Sequence, residues 1–254
     1  MTKQITDFML VEKQDFTRSV LLRLQAQQPL PEIHPGQFVQ VQVDGSPSTY
    51  LRRPISIHDV DFKQNGITLL IQLVGEGTRH LAAAKKDDIV NMVLPLGKGF
   101  SFPEIGERCL LVGGGIGIAP LYYFAKVLNE KGIRPTLLLG GKTETDLLRL
   151  VDYQQLGKTF VTTEDGSMGE KGFVTQHSLW QQQSFDKIYV CGPKPMMKAV
   201  AKLATEKDVW CEVSLENLMA CGLGACLCCV EDTVDGHVCV CKEGPVFNTR
   251  RLKW

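Results

Sequence analysis

The chain has 254 residues, 44% of them hydrophobic, which is enough for two modest cores and a small further lobe. Basic and acidic residues number 28 each, so the net charge is zero and no basic excess favours nucleic acid or an anionic membrane. No apolar run approaches the roughly 20 residues of a membrane-spanning helix, and no signal peptide is evident. The nine cysteines are therefore expected to be free thiols in a reducing, cytoplasmic setting.

Residues 1–102 are predicted to form a small antiparallel β-barrel. Short runs that are apolar, or that alternate apolar with polar side chains, occupy residues 20–24, 39–43 and 67–74. Turn residues such as Pro35-Gly36 separate these runs. Several short strands joined by such turns are typical of a closed antiparallel barrel.

Two features of this region suit a phosphate. Arg53 and Ser56 lie three apart on a segment that Pro54 holds extended, so a planar cation and a hydroxyl could together hold a phosphate and a flat ring. A solvated edge strand is the alternative for that segment taken alone. Gly75-Glu76-Gly77-Thr78 precedes a predicted helix at 78–84, and a glycine turn at a helix start presents free N–H groups to an anion. Together the two features favour a bound dinucleotide.

Residues 103–212 change to the pattern of a nucleotide-binding α/β domain. A short apolar strand at 109–112 leads into the turn Gly113-Gly114-Gly115-Ile116-Gly117, and a helix follows at 121–130. Strand, glycine turn and helix form the unit that binds phosphate or ribose at the carboxyl end of a parallel sheet. The turn does not match G-x-G-x-x-G, and a glycine-rich turn alone is weak evidence.

Further α/β alternation follows in the same region. Residues 136–139 and 187–190 are predicted to be buried strands, and residues 173–180 and 195–206 are predicted to be helices. Cys191-Gly192-Pro193 lies directly after the second of these strands. Two separated loops therefore fall at the edge where an open α/β sheet binds ligands, although the side chains of the second loop could equally serve packing.

The C-terminal residues 213–254 carry the most specific motif. Cys221, Cys226 and Cys229 have the spacing C-x4-C-x2-C, and Cys241 follows at a distance. This is the plant-type ligand pattern of a [2Fe–2S] cluster. A structural zinc site usually shows two separate C-x2–4-C pairs, and an odd number of cysteines without a secretory signal disfavours disulfides.

The spacing does not by itself select the fourth ligand. Cys239 and Cys241 lie two apart in a segment, 238–241, that alternates like a strand, so their thiols would share one face. Cys228 adds a further thiol beside the loop motif.

Barrel, nucleotide sheet and cysteine lobe, in that order, cover the whole chain. Arg53-Pro54-Ile55-Ser56, Gly77-Thr78, residues 113–120 and Cys191-Gly192-Pro193 resemble the motifs of the ferredoxin–NADP reductase-like flavoproteins. The cysteine motif, followed by Cys-Lys-Glu-Gly-Pro-Val-Phe at 241–247, resembles the electron-transfer subunits of the class 1B dihydroorotate dehydrogenases. This second resemblance selects Cys241 over Cys239 as the fourth ligand.

The resemblance implies three domains: an FAD-binding barrel at 1–102, an NAD-binding α/β domain at 103–212 and a [2Fe–2S] lobe at 213–254. The FAD contacts that it implies are Arg53, Pro54, Ile55, Ser56, Leu70, Ile71, Gln72, Gly77 and Thr78. The NAD(H) contacts that it implies are Gly113, Gly114, Gly115, Ile116, Gly117, Cys191, Gly192 and Pro193. The iron ligands that it implies are Cys221, Cys226, Cys229 and Cys241.

Members of the family that this chain resembles form a complex with an FMN-containing catalytic subunit. That subunit oxidises dihydroorotate to orotate in pyrimidine biosynthesis. The resemblance thus implies a heterotetramer, two of each subunit, in which electrons pass from FMN through [2Fe–2S] and FAD to NAD. No catalytic acid or base is predicted, because the cofactors carry out the chemistry. Residues 142–146 hold one cation and two acids, a mixed signal between NAD and NADP, and the family favours NAD.

Two other functions are compatible with the same residues. One is a stand-alone or hydrogenase-associated NAD(P)H:acceptor flavin reductase. The other, from a different class, is a redox-sensing module that binds a partner without turnover. Steady NADH oxidation with an artificial acceptor would separate an enzyme from a sensor.

Overall fold

The computed structural model describes residues 3–254, which divide into two compact units. The first unit contains the described residues up to Gly99, together with Glu216–Glu231 and His237–Pro245. The second contains Phe100–Leu215, Asp232–Gly236 and Val246–Trp254. The cysteine motif therefore belongs to the same compact unit as the N-terminal strands.

The first unit is built on a closed six-stranded antiparallel barrel, as the sequence predicts, with strand order β1-β2-β5-β4-β3-β6. The strands are β1 (Gln4–Asp15), β2 (Ser19–Ala26), β3 (Phe38–Val41), β4 (Arg53–Asp61), β5 (Gly66–Gln72) and β6 (Ile89–Leu96). Helix α1 (Glu76–Ala83) lies between β5 and β6 in the chain. Pairing of β1 with both β2 and β6 closes the barrel, so these strands leave no free edge.

Alternating side chains fill the barrel core. In β2, Leu22 and Leu24 are buried while Arg23 and Gln25 are exposed, as expected of a half-buried strand. The strand β5 is buried along its length until Gln72, which is exposed. Burial of these aliphatic side chains supplies the main driving force for folding of the unit.

The second unit is an α/β sheet of seven strands in the order β10-β9-β8-β7-β11-β12-β15. Its strands are β7 (Cys109–Gly114), β8 (Thr136–Gly141), β9 (Lys158–Thr163), β10 (Glu170–Lys171), β11 (Lys187–Cys191), β12 (Trp210–Ser214) and β15 (Val246–Asn248). All neighbours are parallel except β15, which is antiparallel to β12. The helices are α2 (Ala119–Glu130), α3 (Leu150–Leu156), α4 (Leu179–Gln182) and α5 (Lys194–Glu206).

The helix predicted over 173–180 is wrong. The chain instead forms a 3-10 turn at Val174–Gln176 and then the short helix α4. His177 has extended backbone angles between them, and its Nδ1 accepts the N–H of Leu179 at 2.9 Å. A side chain that bonds the backbone in this way competes with the helical hydrogen bond and interrupts the helix.

The cysteine lobe contains little regular structure. Strands β13 (Val230–Thr233) and β14 (Gly236–Cys239) form a two-stranded sheet, and the short helix α6 (Val240–Glu243) follows directly. The strand predicted over 238–241 therefore ends at Cys239, and Cys241 lies in a helix. The two thiols consequently do not share one face of a strand. Within residues 3–254, no helix combines the length and the hydropathy needed to cross a bilayer.

Candidate cofactor sites

Two adjacent arginines at the start of β4 have different roles. The guanidinium of Arg52 donates to the backbone carbonyls of Gln40 and Asn91 and to the side-chain oxygens of Gln42 and Asn91, at 2.6–3.3 Å. Arg52 therefore ties three segments of the barrel together. Within the described chain, the guanidinium of Arg53 donates only to the carbonyls of Leu51 and Arg52, at 2.8 and 3.4 Å. Arg53 thus keeps a charged group with no carboxylate partner.

The free guanidinium lies against the start of α1. A Cβ at Gly77 would be 2.9 Å from Nε of Arg53 and 3.2 Å from Cγ2 of Thr49, so a larger residue would displace the arginine side chain. Because α1 begins at Glu76, the first N–H groups of the helix have no partner within it. Oγ1 of Thr78 accepts the N–H groups of Val74 and Gly75 at 3.0 and 3.1 Å and holds the turn in shape. A cation and a helix N-terminus therefore meet in one place, an arrangement that suits a phosphate.

The acidic residue of this turn, Glu76, bonds a neighbouring loop. The Glu76 carboxylate accepts hydrogen bonds from Ser48 and from Ser46, the latter at 3.1 Å. These bonds, that of Ser48 first, lower the pKa of Glu76 below its usual value. Ser46 also bonds Thr49 at 2.7 Å. The ionised carboxylate thereby fastens the 46–49 loop onto the start of α1.

The other predicted FAD residues lie on neighbouring strands. Pro54, Ile55 and Ser56 are half-buried on β4, where they pair with Gln40, Val39 and Phe38 of β3. Leu70 and Ile71 are buried on β5, and Gln72 is exposed at its end. Because β4 and β5 pair, the structure brings both groups of residues to one part of the barrel wall.

In the second unit, the two predicted nucleotide loops meet. Strands β7 and β11 are parallel neighbours, and Gly113 pairs with Cys191 at their carboxyl ends. A Cβ at Gly117 would lie 2.5 Å from the carbonyl oxygen of Cys191 and from Cα of Gly192. The glycine turn and the 191–193 loop thus approach each other closely at the sheet edge where α/β proteins bind nucleotides.

Met196 fills the space between these loops. A Cβ at Gly192 would be 2.6 Å from its terminal methyl, and a Cβ at Gly114 would collide with its sulfur. The 191–196 segment therefore serves packing as well as lining the edge. Gly115 has a φ of +54°, in the left-handed region that favours glycine.

A carboxylate occupies the next loop along the sheet. Oδ2 of Asp146 accepts the backbone N–H groups of Lys142 and Thr143, at 2.9 and 3.2 Å, just after β8. In α/β nucleotide sites, a negative charge in this part of the sheet opposes the extra 2′-phosphate of NADP. Asp146 also forms a capping box with Thr143 at the short 3-10 turn Glu144–Asp146, as expected if these residues cap a helix start.

The predicted iron ligands come together in two contacting pairs. The thiol of Cys221 contacts that of Cys226, and the thiol of Cys241 contacts that of Cys229. The N–H of Cys241 donates to Sγ of Cys229 at 3.4 Å. Within residues 3–254, no three ligating side chains are arranged to hold a single metal ion. A two-iron cluster divides its four thiolates between two metals, so two pairs fit it better than they fit one zinc ion.

Backbone N–H groups point at the sulfurs of this loop. Gly224 donates to Sγ of Cys241 at 3.1 Å, and Leu223 donates to Sγ of Cys221 at 3.3 Å. Partial desolvation raises the pKa of Cys221, but bonds from Leu223 and Cys226 outweigh it and lower that pKa to about 6. Such donors favour the thiolate of Cys221, the form that binds iron, whereas burial raises the pKa of the Cys241 thiol to about 12 despite the N–H of Gly224.

The two spare thiols have different surroundings. Cys239 also contacts Cys229, but its thiol points to the carbonyl oxygen of Gly224 at 3.9 Å. Cys228 is exposed and points to the carbonyl of Leu218 at 3.7 Å. A carbonyl attracts a protonated thiol and repels a thiolate, whereas Cys241 is buried and receives an N–H. These contacts favour Cys241 as the fourth ligand.

The cysteine loop packs directly on the barrel. Gly222, at a φ of +69°, lies so near Gln40 of β3 that a Cβ would be 2.7 Å from Cγ of that glutamine. The N–H of Lys98 donates to the carbonyl of Gly244 at 2.5 Å, and Nζ of Lys98 pairs with Glu243 at 2.7 Å. Sequence patterns do not predict a buried Gln40, because a polar residue inside an alternating strand is usually exposed.

The chain is similar to known proteins over most of its length. The model of the iron–sulfur cluster binding domain of dihydroorotate dehydrogenase B matches residues 216–253, and that of an oxidoreductase NAD-binding domain matches residues 111–202. The dihydroorotate dehydrogenase B (NAD(+)) electron transfer subunit of Caldanaerobacter subterraneus subsp. tengcongensis is 44% identical, with 84% of this chain and 85% of the relative covered. The subunit of the same description from Fusobacterium nucleatum is 41% identical, with 84% of each chain covered.

Solved structures show the same fold. A chain in the NADH-dependent reduced ferredoxin–NADP oxidoreductase structure, described for flavin-based electron bifurcation, aligns with a TM-score of 0.88 at 30% identity, covering 97% of this chain and 90% of that one. A ferredoxin reductase of carbazole 1,9a-dioxygenase aligns with a TM-score of 0.69 at 21% identity, covering 82% and 67%.

The barrel, the nucleotide sheet and the matched cluster domain define a ferredoxin reductase-like oxidoreductase component that transfers electrons. The chain belongs to the family of electron transfer subunits of NAD-dependent dihydroorotate dehydrogenase B. The predicted fold class and electron-transfer function are thereby confirmed. The matched domains and the fold agree with the predicted set of FAD, a [2Fe–2S] cluster and NAD(H). As an electron transfer subunit, the chain works with a catalytic subunit.

Proposed function

We propose that this chain passes electrons to NAD from an FMN-containing catalytic subunit that oxidises dihydroorotate to orotate, in a heterotetramer of two subunits of each kind. The route runs through a [2Fe–2S] cluster and FAD, both held by the first compact unit. Bound FAD would exchange a hydride with NAD(H) and single electrons with the cluster. The residues of this chain bind these groups and set their surroundings.

The observation that carries this proposal is the packing of the cysteine loop against the barrel. The loop glycine Gly222 touches Gln40, and the β4 partner of Gln40 is Pro54, within the segment proposed for FAD. The two proposed cofactor sites therefore share one compact unit. Electron transfer between two cofactors requires such proximity, whereas separate storage or sensing of electrons does not.

On the barrel, we assign phosphate recognition to Arg53 and the start of α1. The unpaired guanidinium and the cradle at Gly77 fit the pyrophosphate of a dinucleotide. Pro54, Ile55 and Ser56 with Leu70, Ile71 and Gln72 would supply the wall for the flat flavin ring. Thr78 fixes the turn rather than donating freely, since its hydroxyl already bonds the carbonyl of Gly75 at 3.0 Å.

In the second unit, we assign NAD(H) binding to the loops 113–117 and 191–193. Their close approach at the carboxyl ends of β7 and β11 supports this assignment. The glycines allow the ligand to approach the backbone, as required for a diphosphate. Asp146 in the neighbouring loop favours NAD over NADP.

We assign the cluster to Cys221, Cys226, Cys229 and Cys241. The two thiol pairs and the N–H groups directed at Cys221 and Cys241 support this set. The nine cysteines form no disulfide in the structure, which fits a reducing, cytoplasmic location.

The catalytic subunit is proposed to dock on the apolar surface of the cysteine lobe. Leu218, Leu223 and Leu227 expose 87%, 47% and 65% of their areas. Leu227 is held at a φ of +59°, an unusual conformation for a leucine, which keeps its side chain outside the core. Exposed aliphatic side chains beside a redox centre suit a dry contact through which electrons can leave.

Dye reduction by the purified chain tests the enzymatic part of the proposal. With FAD and the cluster in place, the chain alone should sustain NADH oxidation by an artificial acceptor through many turnovers. It should form no orotate from dihydroorotate. A redox sensor would be reduced once and then stop, and that outcome would refute the proposal.

A second function is favoured by one observation. The structural match to the NADH-dependent ferredoxin–NADP oxidoreductase chain extends over 97% of this chain at 30% identity. A reductase subunit that exchanges electrons with a ferredoxin-linked partner would use the same residues. Activity with dihydroorotate and a catalytic subunit, compared with activity towards reduced ferredoxin, separates the two.

A further inference from the structure

One buried polar side chain of the first unit has no hydrogen-bond partner. Gln40 of β3 is completely buried, and neither its Nε2 nor its Oε1 bonds any other atom of the described chain. An amide buried without partners costs free energy, so buried amides in folded proteins nearly always find a donor or acceptor. The other glutamine of this region shows the usual arrangement. Gln37 is equally buried, but its amide accepts the N–H of His34 and donates to the carbonyl of Gly97.

The unpaired amide lies beneath the cysteine loop. A Cβ at Gly222 would be 3.0 Å from Nε2 of Gln40 and 3.2 Å from Cδ1 of Leu96. Gly222 follows Cys221 directly and begins the loop that leads to Cys226. The amide therefore meets the backbone of the loop that holds two of the proposed ligands. Glycine at 222 is required both by the positive φ and by this close approach.

We infer that Gln40 is a hydrogen-bond donor to the iron–sulfur centre. Its amide completes its bonding when the cluster is bound, with Nε2 donating towards a cluster sulfur on the Cys221 side. The inference rests on the proposed ligand set. It adds a residue of the barrel, outside the cysteine motif, that sets the potential of the centre.

The chemistry determines the direction of the effect. Reduction adds one negative charge to a [2Fe–2S] cluster, so a donor to its sulfur stabilises the reduced form and raises the potential. Removal of the donor should favour the oxidised form. We expect about a tenfold shift of the one-electron equilibrium, which is about 59 mV for a one-electron couple.

The test compares Gln40→Met with the wild type, because methionine keeps the length of the side chain and removes the amide. The cluster potential is measured on the FAD- and cluster-loaded chain by a redox titration monitored by electron paramagnetic resonance. The variant should show a cluster potential lower by about 59 mV, corresponding to the tenfold shift. An unchanged or raised cluster potential in Gln40→Met would overturn the inference.

The unfolding midpoint of the apo-protein provides a second measurement. Because the amide has no partner without the cluster, Gln40→Met should leave the unfolding midpoint of the apo-protein unchanged or raise it. Gln37→Leu is the matched control, since it breaks bonds that exist. It should lower the midpoint and leave the cluster potential unchanged. A marked loss of apo-protein stability in Gln40→Met would show a merely structural role and overturn the inference.

A further variant guards against failure of Gln40→Met to fold. Gln40→Leu also removes the donor and introduces no charge into the buried position, so it should lower the potential by a similar amount. The ligand assignment is tested separately by Cys221→Ser, which should lose the cluster whatever happens at Gln40. Failure of that variant to lose the cluster would count against the ligand set, whereas an unchanged potential in the Gln40 variants would count against Gln40 alone.

Discussion

Two neighbouring arginines show how a single residue's contacts decide its role. The guanidinium of Arg52 donates hydrogen bonds to residues of the barrel. Within the described residues, the guanidinium of Arg53 donates only to nearby backbone carbonyls, and its charge lies beside the start of α1. We predict that Arg53→Ala weakens FAD binding roughly ten- to hundredfold. This follows from the loss of a charge-assisted contact of about 1.5–3 kcal/mol. The dissociation constant can be measured by flavin fluorescence.

Arg52→Ala is the matched control, because it removes an equal charge one residue away. It should lower the thermal unfolding midpoint, since four hydrogen bonds are lost, with little change in FAD affinity. Full FAD content and unchanged affinity in Arg53→Ala would place the phosphate site elsewhere.

The cysteines give the second prediction at this scale. Cys241→Ser should abolish the visible absorption of the cluster, because Cys241 is the buried sulfur that receives the N–H of Gly224. Cys239→Ser and Cys228→Ser should keep that absorption, since their thiols face carbonyl groups. Iron content and visible spectra of the three purified variants check this. A cluster retained in Cys241→Ser and lost in Cys239→Ser would reverse the assignment.

At the scale of elements, the sequence predicted the strands β2, β3, β5, β7, β8 and β11 and the helices α1, α2 and α5. Periodicity is strongest where one face of a strand is buried, as in β2, and where a strand is buried throughout, as in β7. It failed at 173–180, because the side chain of His177 bonds the backbone and ends the helical pattern locally. It also failed at Cys241, because the alternation of 238–241 continues past the end of β14 into α6.

The residues of the candidate sites likewise divide into those that sequence patterns predict and those that they do not. The cysteine spacing and the glycine turns are local patterns that can be recognised in the sequence itself. The roles of Gln40 and Asp146 depend on the groups around them, which are Gly222 for Gln40 and the backbone of Lys142 for Asp146. These neighbours are brought together only when the chain folds. No pattern along the chain distinguishes Gln40 from an ordinary polar strand residue.

The segment before α4 carries a pH-dependent stability. Burial lowers the pKa of His177 below 6.5, while Glu170, 3.5 Å from its Nε2, acts in the opposite direction. The unfolded chain therefore binds the proton more tightly, so this contribution to stability is present above about pH 6.5 and is lost as the pH falls below it. The pKa of Glu170 is lowered from 4.5, by Ser178 first, so that carboxylate stays ionised in this window.

We predict that the free energy of unfolding falls between pH 7.5 and 5.5, and that His177→Asn reduces this fall. Asparagine can still accept the N–H of Leu179 but does not titrate. Chemical denaturation of both proteins at the two pH values measures the difference. An equal fall in wild type and variant would show that other groups are responsible.

We expect the loop after β8 to influence the choice between NAD and NADP. The carboxylate of Asp146 lies against the backbone of Lys142 and Thr143, where it opposes a further negative charge. We predict a higher kcat/KM for NADH than for NADPH. Asp146→Asn should reduce the ratio of kcat/KM for NADH to kcat/KM for NADPH by about tenfold, equivalent to about 1.4 kcal/mol. A preference of the wild type for NADPH would contradict the prediction.

At the scale of the whole molecule, the described chain is occupied by the barrel, the nucleotide sheet and the cysteine lobe. A (β/α)8 barrel, which takes about 250 residues by itself, has no room here. We therefore expect the oxidation of dihydroorotate to take place on the catalytic subunit. The apolar surface of the cysteine lobe is where we expect that subunit to bind.

The docking surface gives a direct prediction. Leu227→Glu places a charge in a contact that should be dry, so it should weaken association with the catalytic subunit while FAD and iron content stay unchanged. Ile5→Glu is a matched control on the barrel, since Ile5 of β1 is similarly exposed at 70%. Analytical ultracentrifugation of the mixed subunits measures both. Equal association of Leu227→Glu and the wild type would exclude this surface.

We propose that electrons from dihydroorotate reach NAD only through this chain and its cluster. NADH formation from dihydroorotate and NAD tests this directly, with the catalytic subunit assayed alone, with this chain, and with Cys221→Ser. We predict NADH formation only with the wild-type chain, while the catalytic subunit reduces an artificial acceptor in all three mixtures. Equal NADH formation with Cys221→Ser, or orotate formation by this chain alone, would contradict the account.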